Sequence, residues 1–161
     1  MGLLFPAQIY GHCFYVTTTF KNWRKLGDVP GMYQKLAESL AFCAEKYEAL
    51  IIGFVFMPSH IHIVMSIEGD RLSSFMRDFK KYISQKAAKD LGIESSGIWM
   101  PRYDRVAITS EHILVAKLEY IHSNPVKGDF VNTPDQWQWS SASGYSDASY
   151  SGIVPIFRDW V

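Results

Sequence analysis

Two histidines, His60 and His62, flank Ile61 in a stretch rich in apolar and β-branched residues. Side chains alternate between faces along a strand, so both imidazoles point one way while Ile61 and Ile63 point the other. Neighbouring neutral imidazoles suit a divalent metal ion, and the same spacing also suits ordinary half-buried strand residues. A third ligand would decide between the two. Farther along, Lys117, Tyr120 and Asn124 recur at the spacing that shares one helical face. A phenol, a carboxamide and an ammonium in one row offer a nucleophile, a ligand oxygen and a positive charge. The plainer alternative is a tyrosine at the core edge, an asparagine ending the helix before Pro125 and a solvated lysine.

The elements that must position these residues follow from periodicity. Tyr10 to Phe20 reads as a strand, and the Gly27, Pro30 and Gly31 cluster ends that pattern. Met32, Leu36, Leu40, Cys43 and Tyr47 form one apolar stripe, which predicts a helix over 32–47. Ala49 to Phe56 and His60 to Ile67 read as two strands joined tightly at Met57, Pro58 and Ser59. Leu72, Phe75, Met76, Phe79, Tyr82, Ile83 and Ala87 predict a second helix, with Asp70 as its N-cap and Gly92 as its stop. Ile98 to Ile108 is strand-like despite Pro101. Ser110 caps a last helix, expected to end near Asn124 because the residue before a proline disfavours helical geometry. The order β, α, β, β, α, β, α matches the α+β, ferredoxin-like split βαβ plan. That plan is an antiparallel sheet with helices on one face, here with an additional helix toward the C-terminus carrying Tyr120.

Length and composition set the frame. The 161 residues are 48% hydrophobic and 15% aromatic, which excludes a disordered chain and suits one domain over 1–161 with its own core. Cys13 and Cys43 fall in no zinc spacing and are too few for a disulfide framework, so a reducing cytoplasm is the expected compartment. Gly2 to Phe20 lacks charged residues, yet Pro6, Gln8, Gly11, His12 and Thr17 to Thr19 make it too polar for a membrane helix or a signal sequence. With 16 Lys+Arg against 16 Asp+Glu, nucleic-acid binding would have to rely on a local basic surface. Arg77, Lys80, Lys81 and Lys86 bias one face of the second helix, and Arg102, Arg105 and Lys127 flank the expected strand and helix of the site. Trp99, Tyr103, Trp137 and Trp139 could stack unpaired bases or simply fill the core.

Three ordered segments give these signals a common reading: FVFMPSHIHIVMS around the histidines, YIHSNPVKGDFV from Tyr120, and QWQWSS from Gln136 to Ser141. Together they resemble the REP-associated tyrosine transposases, of the single-tyrosine group of the HUH nuclease superfamily. LSSFMRDFKKYISQKA and IWMPRYDRVA lie where that family has its second helix and a strand bearing Trp and Arg. The resemblance runs from about Tyr15 to Ser141, with Ser59 in place of a common Asn and Ser123 in place of a common apolar residue.

The resemblance implies that His60, His62 and Asn124 hold Mg²⁺ or Mn²⁺ and that Tyr120 is the nucleophile. Its phenolic oxygen would attack a phosphate of single-stranded or hairpin DNA, forming a 5′-phosphotyrosine link and freeing a 3′-hydroxyl. A free phenol titrates near about 10, so a positive neighbour must favour the phenoxide, and Lys117 and the metal are candidates. Arg77, Lys80, Lys81, Arg102, Arg105 and Lys127 are the candidate DNA contacts. Short palindromic repeats are the implied substrate, and both a homodimer and a monomer are compatible with the resemblance. Two rivals remain at this level: a DNA-hairpin-binding protein of the same fold without turnover, and a two-histidine metal hydrolase that uses water.

Overall fold

The computed structural model describes residues 11–160. Strand β1 (Cys13–Thr19) leads through two short 3₁₀ turns, Lys21–Trp23 and Leu26–Asp28, into α1 (Met32–Lys46). The β2 (Leu50–Phe56) and β3 (His60–Ser66) hairpin follows, closed by the Met57 amide on the His60 carbonyl at 2.9 Å. Helix α2 (Leu72–Tyr82) continues through a π-helical turn, Ile83–Ala87, into the short α3 (Ala88–Asp90). Then come edge strand β4 (Asp104–Ala107), helix α4 (Glu111–Lys127) and the short α5 (Ala142–Ser146). The sheet order is β2-β3-β1-β4, and each neighbouring pair is antiparallel, as in the expected split βαβ plan.

Two cores separate the layers. Val16, Ile61, Ile63 and Met65 face α1 and α2, meeting Leu36, Leu40, Phe75 and Phe79. On the other face Tyr15, Val55 and Val64 meet Leu114, Leu118 and Ile121 of α4. The additional helix thus covers the face that the two earlier helices leave open, and the histidines lie on that face. Cys13 and Cys43 are free and buried in different layers, which leaves no disulfide between them. Among the described residues no helix is long and apolar enough to cross a membrane.

Four expectations change in detail. Asp70 is not an N-cap: it sits in a 3₁₀ turn, Gly69–Arg71, that feeds directly into α2 and supplies the helix start with its own backbone bond, Arg71 amide to Glu68 carbonyl at 2.9 Å. The strand expected over 98–108 is regular only from Asp104 to Ala107, because Pro101 has no amide to donate and Trp99 turns in to stack on Phe20, with ring centroids 4.6 Å apart. The last helix does not stop at Asn124 but runs through Pro125 to Lys127. There the proline removes one backbone bond near the helix end, buries its ring, and leaves Gly128 to cap on the Asn124 carbonyl at 2.9 Å. The first strand begins at Cys13, and Tyr10 lies outside the described residues.

Ser110 does cap α4, accepting from the Ile113 amide at 3.3 Å. The helix approaches the sheet at Gly53, where a Cβ would collide with the Leu118 side chain and come within 3.3 Å of Ile121 Cδ1. A bulge between Ile51 and Gly53 in the pairing with β3 turns Gly53 toward α4. Replacing Gly53 with valine should therefore overpack this contact and cost about 1–3 kcal/mol of stability. Urea unfolding of the Gly53→Val protein checks it, and an unchanged midpoint would show that α4 can lift off without cost.

Candidate active site

His60 and His62 lie on β3 opposite Thr19 and Thr17 of β1, with their rings edge to face and centroids 4.8 Å apart. His62 is buried, and its Nδ1 is held by two hydroxyls, Tyr15 Oη at 3.0 Å and Thr17 Oγ1 at 2.9 Å. Both come from alternate positions of one strand, so the sheet itself orients the ring. With the ring proton on Nδ1 and directed to these oxygens, Nε2 keeps its lone pair free. His60 Nδ1 meets Ser59 Oγ at 3.1 Å.

Burial keeps both rings neutral. It pushes His62 down to about 3, helped by the repulsion a second proton would meet between His60 and His62 and by the Lys117 ammonium. His60 is also lowered by burial, partly offset by a hydrogen bond with the Asn124 carboxamide. Asn124 Nδ2 donates to the Tyr120 carbonyl at 2.8 Å, so Oδ1 is the end of that amide available to His60 or to a cation.

Tyr120 comes from α4, whose stripe of Leu114, Leu118, Ile121 and Pro125 is buried against the sheet. Its ring stands edge to face on His62 with centroids 5.8 Å apart, and the residue is 47% exposed, so the phenol opens to solvent. Lys127 Nζ lies 5.4 Å from the Tyr120 ring centroid, and Lys117 Nζ lies 4.7 Å from that of Tyr15. The two lysines thus bracket the site, and Lys127 is the one on the tyrosine itself.

Among the described residues no three His, Cys, Asp or Glu gather to hold a metal ion. A cation at this site would have two imidazole nitrogens and one amide oxygen. That neutral, incomplete set would leave a divalent cation with open positions for phosphate oxygens. Two hydroxyls on the other nitrogen of His62 fix its ring, the outer hydrogen bonding that a histidine needs to hold a cation through Nε2.

The structure gathers His60, His62, Asn124, Tyr120, Lys117 and Lys127, and places the other candidates elsewhere. Arg77 and Lys81 are exposed on α2, which covers the opposite face, and Arg77 pairs with Asp78 at 3.2 Å. Lys80, also on α2, donates to the Met100 carbonyl at 3.0 Å, and burial holds its ammonium below the usual lysine range. Arg105 pairs with Val16 on the α2 side of the sheet and lies over the Phe14 ring, while Arg102 is exposed beside Pro101. The tryptophans expected as stacking candidates are structural: Trp99 Nε1 donates to Lys80, Trp137 Nε1 donates to Phe56, and Trp139 packs on Tyr33. Tyr103 packs at the edge of the α2-side core.

Sequence reasoning missed Tyr15, Thr17 and Trp23, the last with its ring centroid 6.1 Å from that of His60. The even spacing of Tyr15 and Thr17 on the first expected strand was the available signal for the first two. For Trp23 it was the basic and aromatic run KNWRK from Lys21 to Lys25.

Removing both hydroxyls in Tyr15→Phe with Thr17→Val should weaken Mn²⁺ binding by about ten- to a hundredfold. Titration calorimetry reads this directly, and unchanged affinity would mean that these hydroxyls do not orient the ligand.

Comparison with known proteins gives this arrangement a context. A family model described as "Transposase IS200 like" matches residues 8–124, a span that takes in both histidines and Tyr120 and ends on Asn124. The chain is 28% identical over 154 residues to the REP-associated tyrosine transposase of Escherichia coli K12, covering 94% of this chain and 86% of that one. Its fold is similar to a solved REP-associated tyrosine transposase bound to a REP hairpin, with a TM-score of 0.72 and 24% identity over 99% of this chain and 93% of the other.

Proposed function

This chain belongs to the IS200-like transposase family, and from that premise we propose that it nicks and rejoins single-stranded DNA through Tyr120. The observation that carries the reading is the half-exposed phenol set edge-on to His62. Two neutral imidazoles, His62 buried and His60 half-buried, and the Asn124 amide lie beside it. The relative bound to a REP hairpin supports short palindromic repeats as the substrate class.

In the proposed reaction the Tyr120 oxygen attacks the scissile phosphorus as its proton leaves. The bond from phosphorus to the 3′-oxygen breaks, and that oxygen takes up a proton to become a 3′-hydroxyl. The fragment on the 3′ side of the nick stays on the enzyme through its 5′-phosphate, as a phosphotyrosine ester. One phosphodiester has been exchanged for another, so an incoming 3′-hydroxyl can reseal DNA without ATP. His60, His62 and Asn124 would hold Mg²⁺ or Mn²⁺, which when bound would offset the charge growing on the phosphate oxygens. Lys127 and Lys117 supply fixed positive charge on the tyrosine side, where the negative charge of the reacting phosphate would gather.

The test is labelled single-stranded DNA carrying the repeats beside the gene, incubated with protein and Mn²⁺ or EDTA. A denaturation-resistant adduct should form only with metal and vanish in Tyr120→Phe, while DNA binding persists. Cleavage that leaves a free 5′-phosphate and survives Tyr120→Phe would instead establish a water-using hydrolase. Hairpin binding with no cleavage in either protein would establish a binding protein.

Because Lys127 is the cation on the nucleophile's ring, Lys127→Met should slow single-turnover adduct formation about two- to thirtyfold. Lys117→Met, acting from over Tyr15, should slow it less. Equal rates in all three proteins would remove both lysines from the step.

A further inference from the structure

Trp23 is 63% exposed, a large apolar ring left in solvent by a chain that buries most of its others. Its only aromatic neighbour among the described residues is His60, met edge-on at 66°. The backbone that presents it is unusual. Asn22 and Trp23 both have φ of 56°, a left-handed conformation that asparagine tolerates and a bulky indole does not favour.

Several bonds hold the loop in place. The Phe20 amide donates to Ser59 at 3.0 Å, Lys21 to Ile98 at 2.9 Å and Trp23 to Phe20 at 3.0 Å. Arg24 Nη2 reaches the Gly97 carbonyl at 2.7 Å. An over-determined loop that spends backbone strain to hold an indole in water, beside a candidate metal ligand, is arranged for something that arrives from outside. Lys21, Arg24 and Lys25 are exposed around it and give this stretch of a neutral chain a local positive charge.

The rings of Trp23, His60, His62 and Tyr120 stand in sequence, with successive centroids 6.1, 4.8 and 5.8 Å apart. A phosphate seated at the histidines therefore has the phenol toward one end and the exposed indole toward the other. We propose that Trp23 is the stacking platform for the unpaired base next to the scissile phosphate, with Lys21 and Lys25 along the strand's phosphates. This rests on the single-stranded DNA reading above and adds how the strand is held in register. Stacking accepts any base, because every base has a π-face, so Trp23 fixes where the strand lies rather than which sequence it carries. Trp99, Trp137 and Trp139 cannot do this, since their rings are packed and their indole N–H groups or faces are engaged within the fold.

Binding separates this inference from the chemistry. In a Tyr120→Phe background with Mn²⁺, a fluorescein-labelled single-stranded oligonucleotide carrying the adjacent repeat is titrated by anisotropy. Adding Trp23→Ala should weaken binding about 5- to 150-fold, the effect of losing one base–aromatic stack, and Trp23→Phe should restore most of it. Replacing one nucleotide at a time with an abasic unit should identify a single position whose loss weakens the Trp23 protein but not the Trp23→Ala protein. Mn²⁺ affinity and circular dichroism should stay unchanged in Trp23→Ala.

Equal binding by the Trp23 and Trp23→Ala proteins overturns the inference and leaves the functional reading standing. A parallel fall in Mn²⁺ affinity also overturns it, since Trp23 would then act by positioning His60. No single-strand binding by the background protein overturns the functional reading and this inference together.

Discussion

The seating of α4 on the sheet at Gly53 is the contact on which the candidate site depends. Tyr120 and Asn124 belong to the helix, and His60 and His62 belong to the sheet. Nothing in the local structure of either element brings them together. Leu118 and Ile121 close over the one position in β2 without a side chain, and this sets the distance between layers. Packing of this kind is unforgiving, because a buried interface has no spare volume to absorb a methyl group. The same buried stripe carries Pro125, so the helix continues past Asn124 and keeps that amide one turn from Tyr120 on the histidine side.

The electrostatics of the site follow from its place between layers. Burial removes water from the imidazoles and disfavours their charged forms, which suits them to hold a cation. The Tyr15 and Thr17 hydroxyls satisfy the buried nitrogen of His62, which would otherwise be an unpaired polar group in the core. The positive charge near Tyr120 comes from two lysines on α4, each laid over an aromatic ring. A chain with no net charge can therefore still present a cationic rim where a phosphate would sit.

Other basic and aromatic residues show how one sequence signal can have two physical outcomes. Lys80 and Trp99 look like a nucleic-acid surface in the sequence, yet they bond to each other's backbone neighbourhood and fasten the chain before β4 to α2. Arg77 and Lys81 share α2, and that helix lies across the sheet from the histidines. Trp23 shows the reverse: a residue of ordinary type that a strained backbone holds in solvent beside His60.

The sequence by itself determined the strand and helix order, the shared face of the two histidines, the Ser110 cap and the shared helical face of Tyr120 and Asn124. These depend on near-neighbour periodicity, which a linear pattern records directly. Only the tertiary structure decided which face of the sheet α4 covers, that Tyr15 and Thr17 hold His62, and that Trp23 rather than Trp99, Trp137 or Trp139 stands free at the site. Each of those is a contact between residues far apart in the chain. Its outcome turns on how layers pack and which polar groups must be satisfied once water is excluded, quantities that residue type and spacing do not carry.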